Sequence, residues 1–145
     1  MTQAKIVYAS LTGNTEEIAN AAKENLESAG VEVIIDDIDS ASPSDFEGID
    51  IAIVASYTYG DGDLPDEAVD FYEELQEADL SGKKYGVLGS GDTSYGDNFC
   101  KAVELFEAAF EKAGASKGAP GVKVEFAPED EDLDNIKKFT DAIVK

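Results

Sequence analysis

Two short segments of the chain are apolar at both odd and even positions, and this feature most restricts the folds open to it. The segments are residues 51–55 and 85–88. A strand with one face in water alternates apolar and polar side chains, whereas a strand that is apolar on both parities needs cover on both faces. We therefore predict that these segments are central strands of a parallel sheet with helices on either side.

The remainder of the chain alternates between strand patterns and helix patterns. Runs rich in Ile, Val and Tyr and bounded by Gly, Ser, Asp or Pro predict five strands, at residues 5–9, 31–36, 49–56, 85–89 and 122–126. Apolar residues at helical spacing predict four helices. Their periodic positions are Ile18, Ala22, Leu26 and Ala29; Ala68, Phe71 and Leu75; Val103, Phe106, Phe110 and Ala113; and Leu133, Ile136, Phe139, Thr140 and Ile143.

The connections complete the expected fold. Serines and a proline interrupt residues 37–48, where we predict only a short helix or a loop. The acidic run at residues 129–132 predicts the negatively charged start of the last helix. Strict alternation with right-handed crossovers predicts an open five-stranded parallel α/β sheet, in a single domain that covers residues 1–145.

Composition excludes several classes of function. Histidine and arginine are absent and Cys100 is the one cysteine, which removes the usual general base and any internal disulfide. The net charge is −21, and residues 24–82 carry eighteen acidic residues and no basic one. Nucleic acid and anionic membranes are therefore poor partners, and basic proteins are the expected ones. No apolar run approaches the ~18 residues of a membrane span, so we expect a cytoplasmic protein.

The loop after the first predicted strand has the composition of a phosphate cradle. Ligands of open parallel sheets bind beyond the carboxyl ends of the strands. Residues 10–15, Ser-Leu-Thr-Gly-Asn-Thr, place three hydroxyls and an amide around a glycine at a helix start. An ordinary capped helix, with a capping box from Asn14 to Glu17, explains the same residues. The residues of this loop alone leave both interpretations open.

The loops after the third and fourth strands carry aromatic residues. Residues 57–65 include Tyr57 and Tyr59, and residues 89–100 include Tyr95 among small residues. Each loop by itself is explained by ordinary turn structure. Together with a phosphate cradle beside them, two aromatic-bearing loops on one cleft indicate a planar, phosphorylated ligand.

Three motifs in these loops resemble the flavodoxin family. They are Thr12-Gly13-Asn14-Thr15, Thr58-Tyr59-Gly60-Asp61 and Gly91-Asp92-Thr93-Ser94-Tyr95, and the resemblance covers essentially all 145 residues. The chain lacks the loop of ~20 residues that long-chain members insert in the fifth strand, so it is similar to the short-chain class. The resemblance implies the strand order 2-1-3-4-5, with helices on both faces, and noncovalently bound FMN.

The resemblance also implies where FMN binds. Its phosphate would lie at residues 10–15, its isoalloxazine between Tyr59 and Tyr95, and its pyrimidine edge at Asp92 and the backbone of residues 98–100. Tyr57 and Tyr59 both follow the third strand, and the resemblance selects Tyr59 as the stacking ring. The implied cofactor-binding residues are Ser10, Leu11, Thr12, Gly13, Asn14, Thr15, Tyr57, Thr58, Tyr59, Gly60, Asp61, Ser90, Gly91, Asp92, Tyr95, Asn98, Phe99 and Cys100.

The implied function is that of a monomeric, low-potential one-electron carrier between a reductase and acceptor proteins. Such a carrier has no substrate-converting active site and no metal site. Basic partner proteins would dock on the acidic face around the flavin edge. Cys100 would contact that edge as a buried, unreactive thiol rather than a nucleophile.

The residues of the same loops can be compared with those that other protein classes of this topology require. A response-regulator receiver needs acidic residues after the first strand and an aspartate after the third, where this chain has Ser10 and Ser56. A nucleotide-hydrolysing loop ends in Gly-Lys-Ser/Thr, whereas Gly13 is followed by Asn14. The run Gly89-Ser90-Gly91 lacks the third glycine of a dinucleotide fingerprint. A flavin-binding activator of a radical enzyme shares the fold and the cofactor and stays open as the alternative.

Overall fold

A parallel sheet forms where the apolar segments predict it. The computed structural model describes residues 2–10, 13–58, 63–91, 96 and 99–144. Its strands are β1 (Gln3–Ala9), β2 (Glu32–Asp37), β3 (Ile51–Tyr57), β4 (Lys84–Gly91), β5 (Ser116–Lys117) and β6 (Val122–Glu125). They pair in parallel in the order β2-β1-β3-β4-β5, and β6 also pairs with β4. The predicted order 2-1-3-4-5 is confirmed.

The last strand position differs from the sequence prediction. We predicted one strand at residues 122–126, but β4 pairs with two short segments, β5 and β6. Gly118, Pro120 and Gly121 separate them, and a two-residue segment is too short to show a hydrophobic period. β6 ends at Glu125. The next residue, Phe126, has a φ of 56°, a left-handed backbone conformation that is incompatible with a β-strand.

Four helices are found among the described residues, at the predicted places. They are α1 (Asn14–Ser28), α2 (Asp66–Glu77), α3 (Lys101–Lys112) and α4 (Asp130–Ile143). Their periodic residues are buried against the sheet, except Ala29 and Leu133, which are exposed. The crossover after β2 contains only two 3₁₀ turns, Ile38–Ser40 and Pro43–Phe46. The acidic run begins α4 as predicted, with Glu129 and Asp132 forming a capping box.

Both faces of the central strands are covered. In β3 the side chain of Ile53 packs with α1 and α4, while that of its neighbour Val54 packs with α2 and α3. In β4, Leu88 likewise packs on the face covered by α1 and α4, and Val87 packs on the face covered by α2 and α3. Because both faces of these strands are buried, the segments show no alternation of apolar and polar residues. Among the described residues, no helix combines the length and apolar character needed to cross a bilayer.

Gly86 of β4 allows α4 to approach the sheet closely. A Cβ atom at Gly86 would lie 2.8 Å from Ile143 Cδ1 and would overlap the Phe139 ring. We predict that Gly86→Ala lowers the free energy of unfolding by about 1–3 kcal/mol, because it overpacks this contact. Urea unfolding measures the change. Phe139→Leu serves as the partner variant: the double variant should lose less stability than the sum of the two single losses, and strict additivity would contradict the overlap.

Candidate functional site

The carboxyl ends of β1, β3 and β4 place three loops side by side. Ala9 pairs with Ser56, and Ser56 with Gly89, so the three strands end at nearly the same level. The residues that follow or end these strands are Ser10, Thr58 and Gly91. Thr15 and Ser90, which are 75 positions apart in the sequence, are thereby brought into contact at one edge of the sheet.

The start of α1 presents several backbone N–H groups, and the Ser10 side chain accepts hydrogen bonds from two of them. Gly13 is the N-cap residue, with a φ of 94°, a left-handed conformation that glycine adopts without strain. Ser10 Oγ accepts hydrogen bonds from the backbone N–H of Gly13 (3.1 Å) and of Glu16 (3.3 Å). The N–H groups of Asn14 and Thr15 also lie in the first turn, for which an α-helix supplies no acceptor, and no described side chain accepts from either of them. The alternative of a capping box from Asn14 to Glu17 is wrong, because Asn14 lies inside the helix and not at its N-cap.

Two buried hydroxyls join α1 to β4. Thr15 Oγ1 and Ser90 Oγ are 2.7 Å apart, and the two residues are only 1% and 4% exposed. The Thr15 hydroxyl, which the sequence placed in the phosphate cradle, is thus hydrogen bonded within the protein.

Thr58 joins the loop after β3 to the start of α3. Its Oγ1 accepts the backbone N–H of Ala102 at 3.0 Å, and its own N–H donates to the carbonyl of Ser90 at 3.2 Å. The N-cap residue of α3, Cys100, has a φ of 52° and makes no side-chain cap. Thr58 therefore supplies, from another element, the capping oxygen that α3 lacks in its own sequence.

The segment before α3 packs directly on the end of β4. A Cβ atom at Gly91 would lie 3.0 Å from the Cys100 backbone nitrogen and 3.1 Å from its Sγ. Cys100 is 1% exposed, and its Sγ lies 3.7 Å from the Val124 carbonyl oxygen. Burial raises the pKa of the Cys100 thiol to about 11, so the thiol is protonated at neutral pH. The prediction of a buried thiol is confirmed.

Acidic residues border the loop after β3. The Tyr57 hydroxyl donates to Glu67 Oε1 at 3.1 Å, which ties this tyrosine to the first turn of α2. Asp63 lies just before α2, Asp66 and Asp70 lie in its first two turns, and all three residues are exposed. This edge of the molecule therefore carries a concentrated negative charge.

The structure brings together every predicted site residue that it describes. These residues lie at the carboxyl end of the sheet: Ser10, Gly13, Asn14, Thr15, Tyr57, Thr58, Ser90, Gly91, Phe99 and Cys100. The remaining predicted residues lie outside the described residues: Leu11, Thr12, Tyr59, Gly60, Asp61, Asp92, Tyr95 and Asn98.

Sequence reasoning missed the partners of these residues. Glu67, Ala102 and Val124 contact Tyr57, Thr58 and Cys100 from other elements. No local pattern indicates such pairs, since each depends on how the elements pack. No group of three or more potential metal ligands occurs in the described part of the chain.

Comparisons with known proteins agree with this arrangement. A family model described as Flavodoxin matches residues 6–139. The chain is 41% identical to probable flavodoxin 1 of Bacillus subtilis (strain 168), over 96% of this chain and 88% of that protein. The structure of a Streptococcus pneumonia TIGR4 flavodoxin is similar with a TM-score of 0.96 and 51% identity, covering 99% of this chain and 98% of that one. A short-chain flavodoxin associated with a non-canonical PDU bacterial microcompartment has a TM-score of 0.97 and 44% identity, covering 99% and 97% of the two chains.

The buried thiol provides a pH-dependent prediction. Because burial raises the pKa of Cys100 to about 11, its thiolate is scarce in the folded protein below about pH 10. We expect iodoacetamide at pH 8 to alkylate the folded chain far more slowly than the chain unfolded in urea. Mass spectrometry of timed samples measures both rates, and equal rates would show that the thiol is accessible and ionised.

Proposed function

The chain belongs to the flavodoxin family, and from this premise we propose that it is a low-potential one-electron carrier between a reductase and acceptor proteins. Flavodoxins bind FMN and are electron-transfer proteins, not substrate-converting enzymes. FMN is therefore the cofactor, and redox proteins are the partners. The finer proposal is supported most directly by one observation: at the carboxyl end of the sheet, the N–H groups of Asn14 and Thr15 in the first turn of α1 have no acceptor among the described residues.

The residues present at α1 fit the phosphate of FMN. The N–H groups of Asn14 and Thr15 have no acceptor among the described residues, and a helix N-terminus carries about half a positive charge. Residues 6–22 contain no lysine or arginine, so hydrogen bonds and the helix dipole would hold the anion without an ion pair. We propose that residues 10–15 bind the phosphate.

The flavin ring is assigned to the two neighbouring loops. We propose that Tyr59 and Tyr95 stack on the ring, and that Asp92 and residues 98–100 hold its pyrimidine edge. Two contacts support this assignment: Thr58 bonds to α3, and Cys100 packs on Gly91, so that both loops start from fixed positions at the same edge. Aromatic side chains at such positions offer stacking surfaces for a planar ring.

Bound FMN supplies the one-electron chemistry, and the charges of this chain affect its reduction potential and the choice of partner proteins. Reduction adds negative charge at an edge where Asp63, Asp66 and Asp70 are exposed. Like charges raise the free energy of the reduced state, so we propose a low potential. The same carboxylates attract basic proteins, and we propose that such partners dock on this acidic face.

The proposal also includes the organisation of the protein. Two buried clusters of apolar residues lie on the two faces of one sheet, which supports a single domain over residues 1–145. We propose a monomer in the cytoplasm. One buried cysteine without a disulfide is compatible with a reducing compartment.

Binding of FMN and of riboflavin tests the proposed phosphate site. We predict that the FMN-free chain binds FMN with a stoichiometry of one and binds riboflavin at least about tenfold more weakly, because riboflavin lacks the phosphate. Each hydrogen bond to a charged group contributes roughly 1.5–3 kcal/mol, which supports a factor of this size. Isothermal titration calorimetry measures both constants, and equal affinities would place the phosphate elsewhere.

Charge-neutralising variants test the electrostatic part of the proposal. Asp66→Asn and Asp70→Asn remove negative charge beside the site, so each should raise the midpoint potential of bound FMN by on the order of 10–30 mV at low salt. Asp141→Asn is the matched control, because Asp141 lies in the last turn of α4, a helix that runs away from this edge of the sheet. A redox titration measures the potentials. Equal shifts in all three variants would show that only the total charge matters.

A further inference from the structure

The hydroxyl pair between Thr15 and Ser90 has no other polar partner among the described residues. The oxygen atoms are 2.7 Å apart across 75 positions of sequence, and both residues are almost completely buried. Each hydroxyl has one proton to donate and can accept two hydrogen bonds. When Ser90 donates to Thr15, the proton of Thr15 stays available for another acceptor.

The two ends of this hydrogen bond differ in how firmly they are held. Ser90 lies in β4 between two ladder partners, Tyr57 of β3 and Val124 of β6. Thr15 lies in the first turn of α1, outside the sheet and just after the left-handed Gly13, and its backbone N–H has no acceptor among the described residues. The bond therefore ties the less constrained element to the more constrained one.

We propose that Ser90 is a positioning residue for the phosphate of FMN. It acts through the Thr15 hydroxyl, which holds the first turn of α1 and its N–H groups in place, and it does not touch the cofactor. This role differs from the one that the resemblance implied, in which Ser90 itself binds FMN. The inference rests on the proposed phosphate site at residues 10–15.

The test compares FMN and riboflavin binding in Ser90→Ala and a matched variant. We expect Ser90→Ala to raise the dissociation constant for FMN about three- to tenfold and that for riboflavin less than about twofold, because only FMN carries the phosphate. Ser56→Ala is the control: Ser56 is 1% exposed in the adjacent strand, but its hydroxyl donates to the Tyr57 carbonyl at 2.9 Å. The ratio of the riboflavin and FMN dissociation constants of Ser56→Ala should equal that of the wild type.

Variants of Thr15 show whether the effect passes through this residue. Thr15→Ser keeps the hydroxyl and should keep the wild-type ratio, whereas Thr15→Val should lower the preference for FMN. Adding Ser90→Ala to Thr15→Val should cause little further loss, because both changes remove the same hydrogen bond. Circular dichroism checks folding, and Ser90→Cys, which retains a weak hydrogen-bonding group, replaces Ser90→Ala if the latter does not fold.

Three outcomes would overturn the inference. Equal weakening of FMN and riboflavin by Ser90→Ala would mean that Ser90 contacts the ring. An unchanged FMN affinity would leave the hydroxyl pair with a purely structural role, and additive losses would separate Ser90 from Thr15. A wild-type chain that does not prefer FMN to riboflavin would instead refute the proposed phosphate site itself.

Discussion

Burial of β3 and β4 on both faces is the constraint on which the rest of the structure depends. Side chains of alternate parity pack on different helix pairs, so neither strand can shift by one residue without exchanging its two apolar faces. The register that results brings Ser56 beside Ala9 and Gly89. Three loops thus begin at one edge of the sheet, and the carboxyl ends of parallel strands are where such sheets bind ligands.

Hydrogen bonds between elements turn this edge into a defined site. Thr15 is bonded to Ser90 in β4, and the backbone of Ala102 is bonded to Thr58 directly after β3, so α1 and α3 are each attached at the end of a central strand. Both bonds lie among buried or half-buried groups, where an unsatisfied polar atom would cost about 1–3 kcal/mol. The helix starts are therefore held by strands whose own positions are set by the core.

The proposed phosphate site would have to bind an anion in a strongly acidic chain without a lysine or arginine at residues 6–22. The chain has a net charge of −21, yet its cofactor carries a phosphate. At the proposed site, backbone N–H groups and hydroxyls would attract the anion at short range, while solvent and salt weaken the effect of the more distant carboxylates. Under the proposed function, the same carboxylates would attract positively charged partners, so a negative surface charge is compatible with an anion bound at the site and a basic protein docked on the surface.

The sequence by itself determined the elements and their layers, because hydrophobic periods record which faces are buried. The doubly apolar runs indicated central strands, and residues such as Phe71 and Ile136 indicated the buried sides of helices. Only the tertiary structure decided which polar groups meet. The Thr15–Ser90 bond, the capping of α3 by Thr58 and the division of the last strand into β5 and β6 all depend on contacts between distant segments. A local pattern carries no information about such contacts, since they arise from packing and not from spacing along the chain.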